Sequence, residues 1–345
     1  MTLRRAPCEG GPFCILAVAL SVVVLTPCRC GFPPARACDT ARDMDLYLPI
    51  ANLAVNGLVI VGLGLLTGIL SGLFGVGGGF LTTPLLIFYG VPPTVAAASA
   101  STQVTGASVS GLLAHSKRGG VDYKMGAVMV AGGAIGSGLG ALLFRFFRSV
   151  GQIDVVINAL YVILLGSIGL LMAREAWQAI KGSSKVVAAR RRRHHPIVAA
   201  LPLRWRFYGS GLYISPLAPL ILGIVTGTLT MLMGVGGGFI LVPAMLYILG
   251  MSANVVVGTS LFNIVFVTIL TTMMHALTTQ AVDMVLVLFL LIGSVTGAQM
   301  GTQFAGRVRP EVLRLALATI VLAIAFRMLF GLGVRPDEIF AVSAL

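Results

Sequence analysis

The sequence predicts an all-α polytopic membrane protein built from two homologous four-segment repeats, each with a glycine-broken first helix. Three observations carry that prediction. Of the 345 residues, 57% are hydrophobic and 10% charged, with a mean hydropathy of +0.98; a soluble domain carries about 25% charged residues. Apolar runs of the ~20 residues that a bilayer-crossing helix needs recur along the chain. And the stretch Gly75-Val76-Gly77-Gly78-Gly79-Phe80 returns 159 residues later as Gly234-Val235-Gly236-Gly237-Gly238-Phe239, with Pro84 and Pro243 following at the same offset.

Residues 1–43 form an atypical N-terminal extension. They hold Arg4-Arg5, an apolar run from Phe13 to Thr26 and all five cysteines of the chain. A signal peptide, a short anchor and a start at Met44 all fit this segment. The transmembrane body therefore has no disulfide framework and no thiolate metal site.

Residues 44–173 form the first repeat, with apolar segments at about 55–75, 94–114, 125–147 and 153–173. Residues 216–333 form the second, with segments at about 216–233, 254–275, 281–304 and 311–333. Each glycine break is followed by a shorter apolar piece, 80–89 and 239–249. Ten helical residues reach about 15 Å, half a membrane, so each piece is the second limb of a broken helix or a re-entrant segment. The halves match beyond the glycines. His115 corresponds to His275, Ser99 to Thr259 and Gln103 to Asn263 at an offset of 160; Gly132, Gly136, Gly140 and Asp122 correspond to Gly293, Gly297, Gly301 and Asp283 at 161. Such self-similarity is an internal duplication.

Residues 174–215 link the repeats, and residues 334–345 are a C-terminal tail. The linker holds Arg174, Lys181, Lys185, Arg190 to Arg193, Arg204 and Arg206 against one acid, Glu175. That bias marks a cytoplasmic loop and accounts for much of the net charge of +13. The chain has no soluble domain to present a groove-reading element, which excludes nucleic acid as a partner. Four crossings per half give parallel repeats; three, with each break a hairpin, give inverted ones. Sequence leaves both open.

The chemistry concentrates at the breaks. From Val55 to Ala114 no side chain is charged, and from Pro216 to Val282 His275 is the one ionisable side chain apart from tyrosine. The breaks therefore offer a ligand backbone rather than fixed charge. Successive glycine N–H groups form anion-binding nests, and a helix start adds its positive dipole end. A duplicated break is also how a transporter's substrate site shows in sequence. The substrate-binding candidates are Gly75, Gly77, Gly78, Gly79, Gly234, Gly236, Gly237 and Gly238, with Ser99, Gln103, Thr259 and Asn263 on the next helices. An amide in hydrocarbon must find partners, so Gln103 and Asn263 serve either as helix–helix glue or as substrate contacts. His115 and His275 are proton-relay candidates or interfacial hydrogen-bonding residues. Gly132-xxx-Gly136-xxx-Gly140 and its counterpart read as helix-packing stripes. No nucleophile–base set, HExxH or P-loop lysine is present, so the chain is not read as an enzyme, and no cofactor or metal is expected.

The segment Gly72 to Leu86, its copy Gly234 to Pro243 and the stretch Gly258-Thr259-Ser260-Leu261-Phe262 resemble the sulfite exporter TauE/SafE family of membrane permeases. The similarity covers roughly residues 44–333. The resemblance implies a multi-pass protein of the cell inner membrane that transports a small sulfur-containing oxyanion, such as sulfite or a sulfonate. Its expected partners are that anionic substrate and the lipid bilayer. The alternatives are a permease for another anion or a metal ion, and a non-transporting membrane scaffold or sensor subunit.

Overall fold

The computed structural model describes residues 45–51, 53–74, 77–116, 120–180, 205–207, 212–251, 253–304 and 310–333. The extension 1–43, the Arg190–Arg193 run, Gly75 and the tail 334–345 lie outside them.

A short hairpin, β1 (Asp45–Leu48) and β2 (Leu53–Asn56), precedes five helices: α1 (Gly57–Phe74), α2 (Gly79–Phe88), α3 (Pro93–Ser116), α4 (Tyr123–Ser149) and α5 (Ile153–Ile180). A second antiparallel pair, β3 (Trp205–Phe207) and β4 (Leu212–Ile214), lies inside the basic linker. Five more helices follow: α6 (Leu217–Met233), α7 (Gly238–Tyr247), α8 (Ala253–Thr278), α9 (Met284–Phe304) and α10 (Pro310–Gly333). Helices α4, α5, α8 and α9 carry segments long and apolar enough to cross a membrane. Large apolar side chains such as Leu142, Ile163, Leu171, Leu288, Phe326 and Phe330 stand exposed around the bundle. In water such a surface would drive association; in lipid it is the solvated face. The protein is an all-α, multi-pass membrane protein.

The breaks make hairpins rather than continuous spans. One core cluster joins Leu48, Val55 and Ile60, where α1 begins, to Leu86, Val91 and Val95, where α2 ends and α3 begins. Ala281, Val282 and Leu286, at the start of α9, share that cluster. Hence α1–α2 enters and leaves at one end of the bundle. A second cluster joins Ile214, before α6, to Leu249 and Met251, after α7, and to Met125 at the start of α4. Hence α6–α7 enters and leaves at the opposite end. The short pieces 80–89 and 239–249 are thus returning limbs, which hydropathy could not distinguish from continuing ones.

The long helices pair through glycine. Helix α1 runs parallel to α9: a Cβ on Gly293, Gly297 or Gly301 would lie 2.2–2.3 Å from the carbonyl oxygens of Val61, Leu65 and Ile69. Helix α6 runs parallel to α4 in the same manner, with Gly132 and Gly136 against Leu220 O and Ile224 O at 2.2 and 2.1 Å. The Thr228 hydroxyl donates across this seam to Gly136 O at 3.0 Å. These glycine stripes are packing surfaces, as their spacing predicts. Helix α3 packs on α8, and α5 on α10.

Buried aspartates start two of the helices. Asp122 caps α4, accepting from Met125 N, and its own N–H donates to Thr259 Oγ1 at 3.0 Å. Asp283 caps α9, accepting from Val285 N and Leu286 N, and its N–H donates to Ser99 Oγ at 3.2 Å. Ile50 N–H also donates to Asp283 Oδ2 at 3.1 Å, which ties the β1–β2 turn to α9.

Candidate functional site

The two breaks meet inside the bundle. Gly77 and Gly78 have φ of 88° and 70°, and Gly234, Gly236 and Gly237 have 71°, 76° and 72°. These left-handed conformations cost an L side chain about 1–2 kcal/mol each, so the repeated glycines are what allow each turn. Gly78 and Gly237 are the residues preceding α2 and α7. From those turns the chain presents Phe80 and Phe239 to each other. Their rings stack 4.5 Å apart at 8°, almost fully buried. A Cβ on Gly79 would lie 2.9 Å from the carbonyl oxygens of Gly234 and Val235, so the tips touch through backbone. Val104, midway along α3, and Ile264, midway along α8, wedge against Gly77 and Gly236 alike.

Much of the tips' donor capacity finds no acceptor among the described residues. Gly79 N donates to Gly77 O at 2.8 Å, and Gly234 N to Thr230 O at 2.7 Å. The amides of Gly77, Gly78 and Phe80, and of Gly236, Gly237, Gly238 and Phe239, have no acceptor among the described residues. Helix starts leave such groups by construction, yet buried ones are usually paired. Gln103 and Asn263 add to this. They precede Val104 and Ile264, are 0% and 1% exposed, and neither their oxygens nor their nitrogens find a partner among the described residues. Ser108 Oγ and Thr271 Oγ1 are buried and unpaired too; Ser108 Oγ lies 3.4 Å from where a Gly77 Cβ would be.

The remaining carbonyls of the second tip are well held. Met233 O accepts from Tyr161 Oη at 2.6 Å and from Thr83 Oγ1 at 3.4 Å. Met231 O accepts from His275 Nε2 at 2.9 Å, and His275 Nδ1 lies 3.3 Å from Thr279 Oγ1. An acceptor-only carbonyl places a proton on Nε2. Phe144 packs edge-on to the imidazole at 5.3 Å. His115 is half-buried near the opposite end of the bundle, where its carbonyl accepts from Gly120 N. The two sequence-equivalent histidines therefore have unlike surroundings.

Of the residues singled out from sequence, Gly77, Gly78, Gly79, Gly234, Gly236, Gly237 and Gly238 form the joined tips. Gln103 and Asn263 lie one residue before Val104 and Ile264, the α3 and α8 side chains that touch the tips. Ser99 and Thr259 instead use their hydroxyl oxygens to hold the starts of α9 and α4. Sequence reasoning passed over Thr67, Ser71, Thr226 and Thr230, hydroxyl residues in the last two turns of α1 and α6 against which Gly78 and Gly237 pack. A signal was available: Thr67 and Thr226, like Ser71 and Thr230, stand at the same offset of 159 as the glycines. Ser101 and Thr102 are polar positions evident in the sequence, but their place in a hydroxyl ladder between α3 and α8, Thr105 to Thr268 at 2.8 Å and Ser101 and Thr102 to Thr272 at 3.3 Å, depends on how those helices pair.

A helix bundle with an apolar exterior and two opposed, buried helix breaks has the build of a membrane transporter. The chain belongs to the sulfite exporter TauE/SafE family, whose profile matches residues 60–328. A probable membrane transporter protein of Xylella fastidiosa (strain 9a5c) is 27% identical over 277 residues, covering 79% of this chain and 95% of the relative. The probable membrane transporter protein YjnA of Bacillus subtilis (strain 168) is 25% identical over 273 residues, covering 78% and 98%. Sulfite exporter TauE/SafE family protein 1 of Arabidopsis thaliana is 49% identical over 49 residues, 14% of this chain and 11% of the relative. No solved structure is significantly similar. The protein is thus a membrane transporter of this family and not an enzyme.

Proposed function

We propose that the protein is a secondary transporter of the cell inner membrane that carries a small sulfur-containing oxyanion, such as sulfite or a sulfonate, by alternating access. The observation that carries this reading is the set of amide donors at the two joined tips that have no acceptor among the described residues, on segments 55–114 and 216–282, which carry no fixed cation. Backbone amides and helix starts bind anions without needing lysine or arginine. The contacts between halves, α1 with α9 and α6 with α4, exchange into each other under the sequence offset. They support two homologous halves of inverted orientation, each contributing one re-entrant hairpin and three crossings. Transporters with this symmetry alternate by rocking one half against the other. The glycine turns supply hinges, and the Phe80–Phe239 stack closes the route between the tips.

The end at which α3 and α5 finish and α4 and α6 begin is assigned to the cytoplasm. The connections between those helices contain Lys117, Arg118, Lys181, Lys185, the Arg190–Arg193 run, Arg204 and Arg206, the bias of cytoplasmic loops. Both termini of the described body then face outward.

The test is uptake of a labelled panel, comprising sulfite, sulfoacetate, sulfate, phosphate and a divalent cation, into proteoliposomes of the purified chain. Uptake confined to sulfur oxyanions, and lost in Gly78→Val and Gly237→Val proteins that still insert, is the expected result. Cation uptake without oxyanion uptake would refute the reading, and so would full flux in both valine variants.

A further inference from the structure

We infer that the solute crosses with a proton on it, as a singly charged hydrogen-oxyanion offering both acceptor oxygens and an O–H donor. This rests on reading the tips as an oxyanion site and says which ionic form that site takes.

The tip amides are donors only, and any oxyanion suits them. Gln103 and Asn263 are different, because each leaves a carbonyl oxygen unpaired as well as its NH2 group, at 0% and 1% exposure. A carbonyl oxygen accepts and never donates. A fully ionised oxyanion has no hydrogen to give it, and would set negative oxygen beside negative oxygen. Burying an unmatched polar group costs about 1–3 kcal/mol, so such a solute leaves a standing penalty at each amide. A solute carrying one O–H satisfies the carbonyl while its remaining oxygens accept from amide N–H groups. The Ser108 and Thr271 hydroxyls, also unpaired, can act in either sense.

Charge points the same way. No side chain from Val55 to Ala114 is charged, and two ionisable groups near the tips are already engaged, His275 with Met231 O and Thr279 and Tyr161 with Met233 O. A second negative charge would enter a poorly polarisable interior in which segments 55–114 and 216–282 carry no cation and the Arg148 guanidinium, at the bundle's exposed edge, donates to Thr279 O at 3.4 Å, and the desolvation cost climbs steeply with charge. The proton then enters and leaves on the solute's own oxygen. No protein carboxylate is required, and no covalent bond changes while the solute is bound.

The experiment uses the full chain in proteoliposomes with the pH dye pyranine trapped inside, and subtracts protein-free vesicles. Sulfite, which exchanges between singly and doubly charged forms near neutral pH, is compared with sulfate, which stays doubly charged. Sulfite uptake at fixed total concentration is expected to follow the singly charged form, falling about tenfold per pH unit above the last ionisation. The interior should acidify as sulfite arrives, and sulfate should not be carried. The double variant Gln103→Leu/Asn263→Leu should lose about tenfold or more of sulfite uptake, and the exchanged pair Gln103→Asn/Asn263→Gln should lose less. Sulfite uptake that ignores pH and leaves the interior pH unchanged overturns the inference while leaving the oxyanion transporter standing. Wild-type uptake in the folded leucine variant overturns it too, because the amides would then hold water only. Absence of uptake for every oxyanion removes the transport reading, and this inference with it.

Discussion

Alanine at Gly236 and at Gly77 separates two physical costs that a glycine-rich turn conceals. Both residues have positive φ, 76° and 88°, so each alanine carries a backbone strain of about 1–2 kcal/mol. Their surroundings differ. A Cβ on Gly77 meets its nearest neighbours, Ser108 Oγ and Val104 Cγ1, at 3.4 Å, an ordinary contact. A Cβ on Gly236 would lie 2.6 Å from Val104 Cγ1 and 3.2 Å from Ile264 Cγ2. Val104 is fully buried and cannot swing into open space. Overpacking of this kind adds about 1–3 kcal/mol. Gly236→Ala is therefore expected to destabilise by about 2–5 kcal/mol against about 1–2 for Gly77→Ala. Combining each with Val104→Ala isolates the steric part. The Gly236→Ala/Val104→Ala cycle should show a coupling of about 1–3 kcal/mol, and the Gly77→Ala/Val104→Ala cycle less than about 0.5. Reversible unfolding in mixed micelles reads both. Equal destabilisation by the two alanines, or no coupling between positions 236 and 104, would refute the account of how the tips are packed.

Three further outcomes follow from the same geometry. Gly136→Leu should prevent α4 and α6 from closing and abolish the folded peak in detergent gel filtration, while Gly138→Leu on the same helix, with nothing within 4 Å, should keep that peak and raise stability by up to about 1 kcal/mol. Asp283→Ala removes the acceptor for Val285, Leu286 and Ile50 N–H groups; a loss of about 1–2 kcal/mol and faster proteolysis at residues 49–51 are expected, measured by unfolding and by limited digestion. His275→Leu leaves Met231 O without its imidazole donor and should lower stability by about 1–3 kcal/mol, whereas His275→Gln, which keeps an N–H donor, should lose less in the same assay.

Much of the site was legible because its signals are local. A run of three glycines cannot stay helical, since each costs about 1 kcal/mol relative to alanine, and its recurrence marked both tips. The glycine stripes of α4 and α9 showed their packing role in spacing alone. Gln103 and Asn263 stood out as amides in apolar helices. Other parts were hidden because they depend on distant partners. Nothing near Tyr161 in the chain signals that its hydroxyl reaches Met233 O, 72 residues away. The serine and threonine at positions 99 and 259 read as possible ligand contacts, and their work in holding α9 and α4 depends on where two remote helices begin.

The amino-acid order by itself determined the solvent, the recurrence of the glycine motif and the places where helix must fail, because hydropathy and backbone propensity act over a few turns of chain. Only the tertiary structure decided that each break turns back to the end it came from, that Phe80 meets Phe239, and that the amides of Gln103 and Asn263 lie buried without partners. Those outcomes depend on which helix ends and which carbonyls are brought together from opposite halves, and an apolar decapeptide reads alike whether it continues across a bilayer or returns.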